Sequence, residues 1–250
     1  VRVALVQWDI VWEDPRANFS RVRALLAEEP PESGTLVVLP EMLSTGFSMN
    51  AEKTEEPEGN SPTRAFLTEL AQQYGVTMLG GRVCEGKNEA IAVGSDGTVL
   101  CRYAKQRPFL PGGEVYVAGD EPQVFSFGEA RVSPLICYDL RFPELFREAA
   151  RRWKPEVFVV IASWPEARIA HWTALLKARA IENQAFVLGV NRTGSDPTFA
   201  YPGRSTVFDF SGECLADAGS EPGVTTAMLD LFALREYRSR LPFLEDIQGV

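Results

Sequence analysis

The feature that most constrains this chain is the character of its apolar runs. "RVALVQW", "TLVVLP", "TMLGGRV", "AIAV", "TVLCRY", "QVFSF", "RVSPLIC", "EVFVVIAS", "AFVLGVN", "STVFDF" and "TTAMLDL" recur from one end to the other, rich in β-branched residues. Several are continuous rather than alternating, which suits strands covered on both faces. Helical patterns lie between them. Residues 16–28 space Phe19, Val22, Leu25 and Leu26 on one face. Residues 61–75 offer Ser61 as N-cap, Pro62 in the first turn and Gly75 as a stop. Residues 143–153 open on Pro143 and Glu144, and residues 167–183 form the longest helical pattern. "GSDGTV" and "FSGEC" are hairpin turns. With no linker, repeat or low-complexity segment, the expectation is one layered α/β domain over residues 1–250. Pattern alone leaves open whether it holds an open sheet or two packed sheets.

Composition narrows the partners. The 250 residues are 45% hydrophobic, enough for a sizeable core, and carry a net charge of −9, which argues against a nucleic-acid surface. It also argues mildly against anionic membranes. No run approaches the ~20 apolar residues that span a bilayer. The opening "VRVALVQWDI" is too short and too interrupted for a secretory signal. Cys84, Cys101, Cys137 and Cys214 form no CxxC pair and His171 is the only histidine, so no metal site of Cys/His type is expected. Reduced thiols in a cytoplasm are expected, with a Cys84–Cys101 cross-strand disulfide as the alternative.

Three strand-like runs end on chemistry. "TLVVLPE" ends on Glu41, "TVLCRYAK" on Lys105 and "RVSPLIC" on Cys137. Strand ends of layered α/β folds open onto ligand crevices. A free thiol, with a pKa of about 8.5, is only a few per cent thiolate at neutral pH. A nearby ammonium and a helix N-terminus both favour the thiolate. Lys105 offers the first, and the helix expected just beyond Cys137 offers the second. Glu41 suits a general base that takes the thiol proton and later activates water. Lys105 and the backbone N–H of Tyr138 suit an oxyanion.

The blocks "VVLPEMLSTGFSM" (37–49), "YAKQRPFLPGGE" (103–114), "PLICYDLRFPELFR" (134–147), "RAIENQAFVLGVNRTG" (179–194) and "SGECLADA" (211–218) resemble the nitrilase, or carbon–nitrogen hydrolase, superfamily in order and spacing across essentially the whole chain. The resemblance implies an α-β-β-α four-layer sandwich, two mixed sheets packed face to face with helices outside. It places the catalytic residues on Glu41, Lys105 and Cys137, with Glu114 as a further glutamate that holds the lysine and orients substrate. It implies a cysteine thioester, with no metal and no organic cofactor. "GFSM" and "SWPEAR" look most like the ω-amidase branch, whose substrates are ω-amides of α-keto acids such as 2-oxoglutaramate and 2-oxosuccinamate. An N-carbamoyl amidohydrolase, a nitrilase and an inactive binding protein are the alternatives. Relatives often carry a histidine two residues past the lysine, where this chain has Arg107 and then Pro108. In the family the helix matching 167–183 pairs two subunits, so a homodimer is implied.

Other residues admit two roles each. His171 is the only residue able to form a Cys–His dyad, and an ordinary helix position accounts for it. Asp139 and Arg141 suit an ion pair that fixes the elbow after Cys137, with the neighbouring cation keeping Asp139 charged. Phe47, Trp164 and Tyr201 suit either pocket walls or core. A keto-acid carboxylate calls for a cation, and Arg107, Arg168, Arg192 and Arg204 are the candidates, since a guanidinium binds a carboxylate through two parallel hydrogen bonds.

Overall fold

The computed structural model describes residues 1–247; the last three positions of the expected 1–250 domain lie outside the described residues. The chain begins β1 (Arg2–Gln7), α1 (Pro15–Glu28), β2 (Leu36–Val38), α2 (Ala51–Thr54), β3 (Glu55–Glu56), α3 (Pro62–Tyr74), β4 (Thr77–Cys84), β5 (Lys87–Val93) and β6 (Val99–Ala104). It continues β7 (Phe125–Phe127), β8 (Ala130–Ile136), α4 (Pro143–Trp153), β9 (Val157–Ala162), α5 (Ile169–Asn183) and β10 (Phe186–Asn191). It closes with β11 (Thr193–Ser195), β12 (Ala200–Pro202), β13 (Thr206–Phe208), β14 (Cys214–Asp217), β15 (Gly223–Met228) and α6 (Leu231–Arg240).

Two mixed sheets result. One has the order β15-β1-β2-β4-β5-β6, with β3 paired to β4; the other runs β14-β13-β10-β9-β8-β7. Each has a parallel centre (β1-β2-β4 and β8-β9-β10) flanked by antiparallel strands. The continuous apolar runs now have their reason. Val3 and Leu5 of β1 join a core shared with Val157, Val159 and Leu188 of the second sheet. Ala4 and Val6, on the other face of the same strand, join Val22 and Leu26 of α1 and Phe66, Leu67 and Leu70 of α3. Leu145 and Phe146 of α4 and Trp172 and Leu176 of α5 cover the second sheet. The layers are therefore helix, sheet, sheet, helix, and full burial of each such Leu, Val or Phe contributes about 1.5–3 kcal/mol. The open choice between one sheet and two is settled in favour of two. Among the described residues no helix is long and apolar enough to cross a membrane.

Local sequence sets the helix ends. Ser61 Oγ accepts the Arg64 N–H at 3.0 Å, Pro62 takes the first position of α3, and Gly75 ends it at φ +66°. The pattern over 167–183 divides: Glu166–Arg168 is a short 3-10 turn and the α-helix begins at Ile169. The Trp164 indole donates to the Arg168 carbonyl at 2.8 Å and pins that turn. Cys84 and Cys101 are both free thiols, so the disulfide alternative falls.

One close approach positions Glu41. After β2 the chain crosses β4, with Leu39 N–H on the Leu79 carbonyl, Gly81 N–H on the Pro40 carbonyl and Leu43 N–H on the Gly81 carbonyl. A Cβ at Gly81 would lie 2.5 Å from Met42 N and 2.6 Å from Glu41 Cα, both backbone atoms. Only glycine lets the Glu41 segment lie there. Gly81→Ala is expected to cost about 1–3 kcal/mol in urea unfolding, by overpacking against a backbone that cannot step aside. An unchanged unfolding midpoint would show that the segment has room to move.

Candidate active site

The strand ends converge as the spacing suggests. Lys105, just past β6, is 1% exposed, and its Nζ lies 3.0 Å from Glu41 Oε1 and 2.8 Å from Glu114 Oε2, both on side chains with no exposure. Asn88 of β5 donates to Glu41 Oε1 at 2.8 Å and to Glu114 Oε1 at 3.0 Å. The Phe109 N–H donates to Glu114 Oε2 at 2.6 Å. Ser163, just past β9, donates its N–H to Glu41 Oε2 at 2.8 Å, and its carbonyl accepts the Cys137 thiol at 3.9 Å. One residue thus places the carboxylate and the sulfur side by side. Burial disfavours the Lys105 ammonium, but the charges of Glu41 and Glu114 outweigh it and raise the ammonium's pKa.

Cys137 sits at φ +47°, a left-handed conformation that side chains other than glycine adopt at a cost of about 1–3 kcal/mol. The strain turns the chain sharply out of β8, and the thiol lines the pocket. The influences expected to favour the thiolate are outweighed here. Burial first, and the negative charge of Glu41 second, push the Cys137 thiol well above its ordinary pKa, with Lys105 pulling only partly against them. A thiol raised in this way beside a carboxylate is an arrangement in which the carboxylate can take the sulfur's proton. The expected helix dipole is also displaced. Cys137–Arg141 is a 3-10 turn, and α4 begins at Pro143 because proline favours the first helical position.

The Asp139–Arg141 pair does not form. Asp139 is fully buried and accepts from Tyr103 Oη at 2.8 Å, Ile136 N–H at 3.0 Å and Arg107 N–H at 2.8 Å. Arg141 instead stacks 4.7 Å over Trp164 and lies 3.4 Å from His171 Nδ1. With no cation paired to it, Asp139 is raised by burial to about 6, against the pull of Lys105 and its hydrogen bonds. His171 is exposed on α5 and meets Arg141 rather than Cys137.

A pocket opens over Cys137. Cys137 and Ser163 line it with Phe47, Phe109, Tyr138, Trp164, Phe199 and Tyr201, and Arg141 and Arg168 add the cations. Three of the expected arginines point elsewhere. Arg107 packs 5.4 Å over Phe142, buried Arg192 binds the Ile10 and Ser195 carbonyls at 2.9 Å, and Arg204 pairs with Asp217 at 2.6 Å. Sequence reading missed Asn88, Ser163, Phe109 and Phe199. Asn88 left no signal, because it stands between Lys87 and Glu89 in the sequence and its burial shows only in the fold.

This fold and this buried Glu–Lys–Glu centre beneath a strained cysteine fit one class of protein. The carbon–nitrogen hydrolase family matches residues 2–239, and the chain belongs to it. Among its relatives, a 2-oxoglutaramate amidase of Bacillus subtilis (strain 168) is 34% identical over 98% of this chain and 97% of that protein. The omega-amidase YafV of Yersinia enterocolitica is 38% identical over 98% and 96%. The solved structure of XC1258 from Xanthomonas campestris, a CN-hydrolase superfamily protein with an arsenic adduct in its active site, superposes with a TM-score of 0.92. It is 33% identical and covers 100% of this chain and 98% of that one.

Asp139 gives the fold a pH signature. An aspartate titrates near 3.9 in an unfolded chain and at about 6 here. Between those values the folded state holds a proton that the unfolded state has released, so this group's contribution to stability falls as pH rises from about 4 to 6. Urea unfolding across that window should show Asp139→Asn gaining roughly 2–3 kcal/mol relative to the wild type. A difference that stays constant with pH would contradict the raised value.

Proposed function

We propose that this chain is an ω-amidase, hydrolysing the terminal amide of a small α-keto acid such as 2-oxoglutaramate or 2-oxosuccinamate to a carboxylate and ammonia. One observation carries the reading. The pocket that contains Cys137 also presents Arg168, a guanidinium with no carboxylate within ion-pair distance among the described residues. It packs 5.5 Å over Phe109 and 5.8 Å over Phe199, held in place yet uncompensated. Such a group calls for an anionic substrate. Arg141, on the same pocket, is the second donor. The names carried by the relatives from Bacillus subtilis and Yersinia enterocolitica agree with this class.

The chemistry is set by the contacts. Cys137 attacks the amide carbon as its proton passes to Glu41. Lys105 and the Tyr138 backbone N–H receive the oxyanion, whose charge a fixed ammonium stabilises without reorganisation. Glu41 returns the proton to the departing nitrogen, ammonia leaves, and a thioester remains. Water then gives a proton to Glu41, attacks the thioester and releases the carboxylate, and Glu41 reprotonates the sulfur. Glu114, bonded to Lys105, keeps the ammonium aimed. The aromatic walls, Phe47, Trp164 and Tyr201 among them, exclude water and strengthen each of these interactions. A reducing cytoplasm would keep Cys137 as a free thiol. We place the homodimer contact on α5, which exposes Ile181.

An N-carbamoyl amino acid also carries a carboxylate, so Arg168 favours both over an uncharged nitrile. Ammonia release from 2-oxoglutaramate, a carbamoyl amino acid and an aliphatic nitrile, assayed side by side, should be fastest for the first. Cys137→Ala should abolish turnover, and Glu41→Gln should lower it by about two to four orders of magnitude. His171→Gln should leave most of it. Arg168→Leu should raise KM roughly 10- to 100-fold with a smaller change in kcat. Faster turnover of the nitrile, or an Arg168→Leu variant with unchanged KM, would overturn the assignment.

A further inference from the structure

Asn88 is 1% exposed near the start of β5, between Lys87 and Glu89. Its amide nitrogen donates to Glu41 Oε1 and Glu114 Oε1, while Lys105 Nζ donates to Glu41 Oε1 and Glu114 Oε2. The four side chains therefore close a ring. Two carboxylates are tied by an ammonium on one side and by a neutral amide on the other. The amide orientation is forced, because carboxylates only accept and a reversed amide would turn its oxygen toward both. The remaining atom, Asn88 Oδ1, is buried with no hydrogen-bond partner. An orphaned buried acceptor costs about 1–3 kcal/mol, so the site retains the amide for its donors.

The ring also distinguishes the two oxygens of Glu41. Oε1 accepts from Lys105 and Asn88 together. Oε2 accepts one hydrogen bond, from the Ser163 N–H, and the carbonyl of that same residue receives the Cys137 thiol. Oε2 is thus the oxygen with spare acceptor capacity on the side of the sulfur.

We propose that Asn88 is a positioning residue for the amide hydrolysis: by occupying Glu41 Oε1 and bridging to Glu114, it makes Glu41 Oε2 the oxygen that takes the Cys137 proton. The inference rests on the amidase reading above. In the step concerned, the S–H bond breaks, its proton goes to Oε2, and the sulfur electron pair forms the bond to the amide carbon. Asn88 itself touches no reacting atom. Without its amide, each carboxylate loses a hydrogen bond to its charged form, which favours holding an extra proton on the pair. Glu41 is also free to rotate about its last torsion.

The test compares Asn88→Leu, which keeps the volume and removes both donors, with Asn88→Asp, which keeps the shape and adds a charge. For Asn88→Leu, kcat is expected to fall about 30- to 300-fold with KM within about threefold, and the acid limb of kcat/KM to move up by about one pH unit. Asn88→Asp should move that limb further. A merely structural role would lower Tm and the active fraction but leave the pH profile in place, so profiles that superimpose on the wild type overturn the proposal. Should both variants fail to fold, the wild type supplies the readout by NMR. The two Asn88 side-chain amide protons should shift with the same midpoint as the acid limb, and resonances blind to that titration overturn the proposal equally. Failure of the amidase reading and failure of this role give different results. Wild-type turnover untouched by Glu41→Gln would sink the amidase mechanism and this role with it. Normal wild-type turnover with an unmoved Asn88→Leu profile would sink the role of Asn88 alone.

Discussion

The structure depends on a lysine kept charged out of water. Removing an ammonium from solvent costs several kcal/mol even after relaxation, and Lys105 is 1% exposed. Two carboxylates within 3.0 Å offset that cost and fix the proton on Nζ. Lys105 is thereby a positive charge fixed in position. Burial first, and the excess of two carboxylates over one cation second, push the neighbouring Cys137 thiol above its ordinary pKa. Gly81 and Asn88 serve the same centre, one by letting the Glu41 backbone come close and the other by bridging the two acids.

Neither sheet holds the site alone. The first contributes Glu41 after β2, Asn88 on β5 and Lys105 after β6; the second contributes Cys137 after β8 and Ser163 after β9. Asp139 is the seam. It accepts the Tyr103 hydroxyl and the Arg107 N–H from the first sheet's side and the Ile136 N–H from the second. That clamp holds the turn that carries Cys137 against the segment that carries Lys105. The clamp takes only the backbone N–H of Arg107, whose side chain turns away over Phe142. Asn191, at the end of β10, does a similar service for the pocket by bonding both the N–H and the carbonyl of Trp164.

The buried centre and the pocket's cations are held in different ways. Glu41, Lys105 and Glu114 are buried and cross-linked, whereas the cations of the pocket, Arg141 and Arg168, rest on aromatic faces without carboxylate partners among the described residues. An aromatic face holds a guanidinium by its ring quadrupole while leaving its N–H donors available. The pocket is thereby charged without being self-satisfied, a state in which an incoming anion gains most.

Much of this was legible in the amino-acid order. Runs apolar at consecutive positions demand cover on both faces, and a strand end carrying Glu, Lys or Cys is a local fact; both can be read along the chain because they depend on neighbours in sequence. Ser61, Pro62 and Gly75 fix α3 for the same reason. What depends on distant partners was not legible. Asp139 and Arg141 are adjacent enough to suggest an ion pair, yet burial hands Asp139 to three donors and Trp164 draws Arg141 away. Among the arginines, sequence could not tell Arg168 in the pocket from Arg192 in the core, since each is the same cation until packing decides which carbonyls and rings surround it. The thiol's state lay equally out of reach, because it is set by the sum of burial and opposing charges brought together from separate strands. Sequence determined that the strands are covered on both faces and which polar side chains stand at their ends, through local periodicity and side-chain chemistry. Only the tertiary structure decided their electrostatics, because Coulomb and desolvation energies depend on distance through space and not along the chain.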